Sequence, residues 1–142
     1  MHTRRSSLVL GLAAAVALAT SAAADAPMQI DGATTVDAAG IIDLIGAKPD
    51  LVILDNRREG DFAAGHIEGA VRLIDTDITG PDVLAAHGAT PDRPVLFYCN
   101  GLSCGRAANA AEMAVGWGYG EVYYYALGMT EWNELGLPVV TR

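Results

Sequence analysis

Two four-residue segments, Leu51-Val52-Ile53-Leu54 and Val95-Leu96-Phe97-Tyr98, carry no charge, no glycine and no proline. A strand with one face in water alternates apolar and polar residues, whereas a strand covered on both faces reads as an unbroken apolar run. These two runs therefore call for helices on both sides of a sheet. The segments around them supply the helices. Ile41, Leu44 and Ile45 fall at i, i+3 and i+4, which is one helical stripe. Asp37 is placed to cap that helix, with Val36 and Ile41 at the two positions of a hydrophobic staple. Residues 46–50, from Gly46 to Asp50, end it.

Further along, Glu59 to Ala64 reads as a short helical turn stopped by Gly65, and Ala70 to Ile74 as a strand. Gly80 to His87 reads as a short helix started near Pro81, and an alanine-dense helix runs from about Gly105 to Trp117. Glu121 to Tyr125 is a strand and Met129 to Leu135 a helix, after which Gly136 and Pro138 break the chain. Strand and helix alternate throughout, so the expected architecture is α/β, with a mostly parallel sheet and helices on both faces. Only two of Tyr123-Tyr124-Tyr125 can share a strand face, so these tyrosines read as core packing, as do Trp117 and Trp132.

The chain has 142 residues, the size of one domain. With 51% apolar and 18% charged residues it is neither a disordered tail nor a coiled coil. The net charge is −8 and Lys48 is the single lysine, too few cations for a nucleic-acid-binding face. Arg4 and Arg5 precede the uncharged run Leu8 to Ala19, followed by Thr20, Ser21 and Ala22-Ala23-Ala24. This is the basic, apolar and small-residue pattern of an export signal. Residues 1–24 are expected to be such a signal, residues 25–33 a loose segment, and residues 34–142 the folded domain. The apolar run is shorter than the ~20 residues a membrane span needs. The arginine pair by itself leaves the general and the twin-arginine export routes both open. Cleavage after Ala24 removes two arginines and no acid, which takes the net charge to −10. A periplasmic or secreted protein follows, in an oxidising compartment and with no membrane partner after cleavage.

Chemistry is expected in the loop after the second apolar run. Cys99 follows Tyr98 directly, then come Asn100, Gly101, Leu102, Ser103, Cys104 and Gly105, and Arg106 opens the next helix. Ligands of open parallel sheets bind beyond the carboxyl ends of the strands. A helix N-terminus there offers unpaired N–H groups and a positive dipole. A cysteine in that setting has its thiolate stabilised and becomes a nucleophile near neutral pH. Gly101 and Gly105 allow a tight turn that brings backbone N–H groups toward the sulfur. Arg106 sits in the first helical turn, where a cation opposes the dipole, so it is expected to hold an anionic substrate.

This loop resembles the active-site loop of rhodanese-type sulfurtransferases. Two further segments agree. Leu54-Asp55-Asn56-Arg57 with Asp61-Phe62-Ala63-Ala64-Gly65-His66-Ile67-Glu68-Gly69-Ala70 resembles the N-terminal signature of the family. Gly128-Met129-Thr130-Glu131-Trp132 with Gly136-Leu137-Pro138-Val139 resembles its C-terminal signature, with Leu127-Gly128 where the family usually has two glycines. The likeness runs from about Val36 to Val140 and implies a single domain built on a five-stranded parallel sheet with helices on both faces. It implies that Cys99 accepts a sulfane sulfur from thiosulfate or a persulfide and passes it, as a persulfide, to a thiol or other nucleophilic acceptor, which includes a thiol on a protein. No cofactor and no metal are implied, and a monomer is expected. Asp55 and Arg57 would support the signature turn beneath the site, and His66 would fix that turn by hydrogen bonds. One departure stands out. The family's arginine falls at the place of Cys104 here, and Arg106 comes two residues later, which leaves open what recognises the donor.

Other readings follow from the same residues. Cys99 and Cys104 could form a reversible disulfide and serve a thiol–disulfide redox protein. As a staple, a bridge across so short a loop gains little from loop closure. A phosphatase loop has five residues between cysteine and arginine, whereas six separate Cys99 from Arg106. A metal site needs more ligands than His66, His87 and two cysteines without a Cys-x-x-Cys motif provide.

Overall fold

The computed structural model describes residues 11–16 and 25–142. Most of the expected export signal lies outside the described residues, and residues 11–16 carry no helix or strand. No helix among the described residues is long and apolar enough to cross a membrane.

Five parallel strands form one sheet: β1 (Ala33–Thr35), β2 (Val52–Asp55), β3 (Val71–Arg72), β4 (Val95–Tyr98) and β5 (Val122–Tyr125). Their order across the sheet is β1-β5-β4-β2-β3. The helices are α1 (Ala38–Ala47), α2 (Glu59–Ala64), α3 (Pro81–Ala86), α4 (Arg106–Gly116) and α5 (Gly128–Glu134), with a 3₁₀ turn at Asp75–Asp77. The two apolar runs are the central neighbours β2 and β4, paired from Val52 opposite Val95 to Asp55 opposite Tyr98.

Alternation along the central strands divides the core into two layers. Val52, Leu54, Val95, Phe97, Val122 and Tyr124 face α3 and α4. Ile53, Leu96, Tyr98 and Tyr125 face α1 and α5, against Ile41, Met129 and Trp132. Tyr123 packs at the edge of this second layer, and Trp117 is half-buried against the first. The first layer is closed by alanine. Ala107, Ala110, Ala111 and Ala114 recur at i, i+3, i+4 and i+7 and are buried. Such small side chains let α4 lie close to the sheet, which carries its N-terminus to the end of β4.

Capping follows from the sequence. The Asp37 side chain accepts a hydrogen bond from Gly40 N–H at 2.8 Å. A second cap comes from the far end of the chain, where Glu131 Oε1 accepts from Ala38 N–H at 2.8 Å and from the Tyr125 hydroxyl at 3.0 Å. Burial first, and then the Glu131 carboxylate, push the Tyr125 hydroxyl well above its ordinary pKa. Glu131 thus locks α5, α1 and β5 together.

Three elements differ from the sequence reading. The strand expected over Ala70 to Ile74 shrinks to Val71–Arg72, because its single neighbour β2 ends at Asp55 and the chain then bends toward the 3₁₀ turn. The fifth strand is Ala33–Thr35, whose residues show no apolar run because it is an edge strand pairing with β5 alone. Residues 25–33 are anchored rather than loose. Ile30 is buried in the core, Ala26 N–H donates to the Leu102 carbonyl at 2.7 Å, and the Tyr124 hydroxyl donates to the Pro27 carbonyl at 2.7 Å. Residues 97 or 76 positions away hold this segment, so its own polar composition does not disclose the anchoring.

Candidate active site

Cys99 is the first residue beyond β4 and is buried among the side chains of the α4 layer. The loop it begins is held by its carbonyls. The Cys99 carbonyl accepts from Met129 N–H at 3.1 Å, and the Asn100 carbonyl accepts from both Thr130 N–H and the Thr130 hydroxyl at 2.8 Å. The Leu102 carbonyl takes the Ala26 N–H, and Cys104 N–H closes a tight turn onto the Gly101 carbonyl at 3.0 Å. The remaining N–H groups of the loop, those of Asn100, Gly101, Leu102, Ser103 and Gly105, meet no acceptor among the described residues. Carbonyls turned outward and N–H groups left unpaired make a loop suited to an anion or a thiolate. Gly105 leads into α4 without a side-chain cap, so the first N–H groups of that helix add to the same positive end.

Close packing of the α5 start against the loop depends on glycine. Gly128 has φ +57°, and a Cβ there would overlap the Cys99 carbonyl oxygen and lie 2.9 Å from the backbone of Asn100 and Gly101. A Cβ on Gly101 would come within 2.9 Å of Thr130 Oγ1. The left-handed backbone and the overlap together cost a Gly128→Ala variant about 2–4 kcal/mol. A urea unfolding midpoint unchanged from wild type would contradict this packing.

Beneath the loop lies a buried charge pair. Asp55 ends β2 and is fully buried, and Arg57 is 4% exposed. Asp55 accepts from Arg57 N–H, from Nε and from Nη2, the last at 2.7 Å. Arg57 also donates to the Gly65 carbonyl at 2.7 Å and to Asn100 Oδ1 at 3.3 Å. Asn100 Nδ2 in turn donates to Asp61 Oδ2 at 3.2 Å. One guanidinium therefore joins the end of β2, the turn after α2 and the cysteine loop. Burial works against its charge, but the hydrogen bonds to Asp55 and the Asp55 charge outweigh that, and the Arg57 pKa is raised. The Tyr98 ring lies 5.8 Å from the guanidinium carbon. Burial, and then the Asp55 charge, push its hydroxyl well above the ordinary value.

His66 sits in the turn after α2. Its Nδ1 is 2.8 Å from the Phe62 carbonyl, its ring stacks on Phe62, and its backbone bridges to Val140. None of these contacts reaches the cysteine loop. Arg106 is paired in a way the sequence does not announce. Its Nη1 donates to Asp75 Oδ1 at 3.0 Å, and Asn109 Nδ2 donates to Asp75 Oδ2 at 3.0 Å. This carboxylate answers the cation at the positive end of α4, so holding a substrate is not the sole reason for Arg106 to be there. Ser103 and Leu102 line, with Leu127, Thr130, Glu131 and Glu134, a cleft of about 330 Å³ beside the loop.

Cys99 and Cys104 are joined by a disulfide, with Cα atoms 6.3 Å apart. That separation lies within the usual range for a disulfide. Cys104 is partly buried, whereas Cys99 is 2% exposed. Among the described residues, no cluster of three or more His, Cys, Asp or Glu could hold a metal ion.

The fold recurs in solved structures. The polysulfide-sulfur transferase homodimer of Wolinella succinogenes superposes with a TM-score of 0.64 at 24% identity, over 78% of this chain and 80% of that one. The human single-domain sulfurtransferase TSTD1 superposes at 0.58 with 24% identity, over 72% and 96%. In sequence, the uncharacterized protein YibN of Escherichia coli (strain K12) is 33% identical over 96 residues, which cover 66% of this chain and 63% of YibN. The HTH-type transcriptional regulator Rv0324 of Mycobacterium tuberculosis is 36% identical over 90 residues, which are 63% of this chain and 38% of that protein. The chain thus spans less than two thirds of the length of these curated relatives. The model of the rhodanese-like domain matches residues 37–135, from the cap of α1 to the residue that caps α5, and with the N-terminal signature and the cysteine loop inside that span the chain belongs to the rhodanese-like domain family.

Proposed function

We propose that the protein is a sulfurtransferase in which Cys99 carries a sulfane sulfur as a persulfide. The observation that carries this reading is the loop itself: Cys99 stands where five loop N–H groups and the start of α4 lack acceptors among the described residues. Once the disulfide is reduced, the Cys99 thiolate attacks the outer sulfur of thiosulfate, releasing sulfite, or that of a persulfide, releasing a thiolate. The N–H groups then stabilise the negative persulfide as backbone dipoles stabilise an oxyanion. A thiol acceptor removes the sulfur. Sulfurtransferases among the structural neighbours support the reading, and so does the match to the family model. The charge of −10 after loss of residues 1–24 gives no general attraction for anions, so a protein or low-molecular-weight persulfide suits the site as well as thiosulfate does. The basic, apolar and small-residue pattern of residues 4–24 supports a periplasmic site of action.

Intact mass spectrometry tests the assignment. The reduced Cys104→Ser protein, which keeps Cys99, gains one sulfur atom on treatment with thiosulfate or glutathione persulfide, and Cys99→Ser gains none. Equal behaviour of the two would remove Cys99 from the chemistry.

Arg106 uses Nη1 alone on Asp75, and its side chain is 27% exposed, so the rest of its fork is free to meet an anionic donor. Arg106→Ala is expected to raise the KM for thiosulfate roughly tenfold, the loss of one charge-assisted hydrogen bond of about 1.5 kcal/mol. Asp75 is buried but keeps Asn109 as a donor, so the fold loses about 1–3 kcal/mol, and the urea midpoint is measured beside the kinetics. Unchanged kinetics would leave Arg106 as a tie to Asp75 alone.

The disulfide favours a second reading, a thiol–disulfide redox protein using the same two cysteines. In that case wild type reduces or oxidises a dithiol substrate, never releases sulfite from thiosulfate, and Cys104→Ser accumulates mixed disulfides.

A further inference from the structure

We propose that Cys104 is the resolving cysteine of this site, so that the domain discharges its persulfide as hydrosulfide without an external acceptor. The inference rests on the sulfurtransferase reading and assigns to that site a second reacting residue.

The geometry comes from the loop. The two sulfurs are bonded while every other tie of the loop is in place: Cys99 to Met129, Asn100 to Thr130, Leu102 to Ala26 and Cys104 to Gly101. The reach of Cys104 to the Cys99 sulfur is thus built into the folded loop and needs no opening of it. Cys104 also stands at the place where the family pattern has an arginine, so this chain offers a thiol there instead of a cation.

The chemistry balances as two steps. Reduced Cys99 takes the outer sulfur of thiosulfate, sulfite leaves, and Cys99 carries S–S⁻. The Cys104 thiol, deprotonated as it attacks, then bonds to the inner sulfur, Cys99 Sγ. The bond between that sulfur and the sulfane sulfur breaks, and the sulfane sulfur leaves as hydrosulfide with the Cys104 proton. The sulfane sulfur is reduced to sulfide and the two cysteine thiols are oxidised to the disulfide seen in the structure. A dithiol must restore the thiols in each round, and exposure sets its entry point. Cys104 is partly buried and Cys99 2% exposed, so Cys104 is the more accessible of the two and the incoming thiolate attacks Cys104 Sγ. The leaving group is then Cys99, whose thiolate is the one stabilised by the α4 start, as a good leaving thiol should be.

A single turnover without any added thiol tests this. The full chain is reduced, freed of reductant without air and mixed with thiosulfate; sulfite, hydrosulfide and protein mass are then read. Wild type is expected to release one sulfite and one hydrosulfide per chain and to end two hydrogen atoms lighter. Cys104→Ser is expected to release one sulfite, no hydrosulfide, and to keep one extra sulfur on Cys99, which also shows that the variant is folded. A wild type that keeps the extra sulfur on Cys99 as the variant does overturns the resolving role and leaves the sulfurtransferase reading intact. Peptide mapping that finds the sulfur on Cys104 makes that residue a relay and equally overturns it. Absence of sulfite from both proteins overturns the underlying reading, and the proposal falls with it.

Discussion

Cys99→Ser is expected to lower sulfur transfer by a thousandfold or more, about 4 kcal/mol of transition-state stabilisation, while the protein still folds. The size of the effect comes from the nucleophile. A serine hydroxyl is not ionised at neutral pH, and the loop contains no histidine to take its proton. Loop N–H groups and the α4 start can stabilise a thiolate that already exists, but they cannot remove a hydroxyl proton. The structural cost is smaller. Cys99 belongs to the buried apolar cluster between the sheet and α4, and burying a hydroxyl there costs about 1–2 kcal/mol. Loss of the disulfide adds about 2 kcal/mol at most, since the bridge closes so short a loop. Initial rates of sulfite release, with the urea midpoint measured alongside, separate the two effects. Residual transfer within tenfold of wild type would move the nucleophile elsewhere.

Arg57→Met carries the largest expected loss of stability, about 3–5 kcal/mol, because it strands the fully buried Asp55 carboxylate. The Gly65 carbonyl and Asn100 Oδ1 lose their donor at the same time. For a domain of this size the melting temperature should fall by roughly 10–20 °C. Arg57→Lys is not expected to rescue it, since one ammonium cannot reproduce the planar fork that meets Asp55, Gly65 and Asn100 together. The double variant Asp55→Leu/Arg57→Met separates charge burial from positioning. Replacing both partners by apolar residues should recover most of the stability. Sulfur transfer should stay depressed, because Asn100 no longer has its tie to the β2 end. A single variant within 1 kcal/mol of wild type by thermal unfolding, or a double variant with full activity, would contradict this account.

Much of this molecule can be read from the residues in order. Strands β2 and β4 are legible because a strand buried on both faces has to be apolar at every position, and burial on both faces is what a central place in a parallel sheet means. Helix α1 is legible because Asp37 and the Ile41 stripe act over three or four residues, within one helical turn. The placement of Cys99 follows from the same local grammar, a strand end running into a glycine-bearing loop and a helix start.

The remaining features arise between segments far apart in the chain. Edge strand β1 has no apolar signature because it meets one neighbour, β5, some ninety residues later. Arg106 looks like a free cation in the sequence and finds Asp75 31 positions away, while Arg57 reaches Asn100 across 43. Residues 25–33 look loose and are held by Leu102 and Tyr124. Both cysteines are plain in the sequence, yet bond formation between them depends on how α5 and residue 26 hold the loop. Local patterns report burial and turn chemistry, which act over a few residues. Pairing of charges, closure of a loop and anchoring of an edge are decided by which distant segments the sheet order β1-β5-β4-β2-β3 brings side by side.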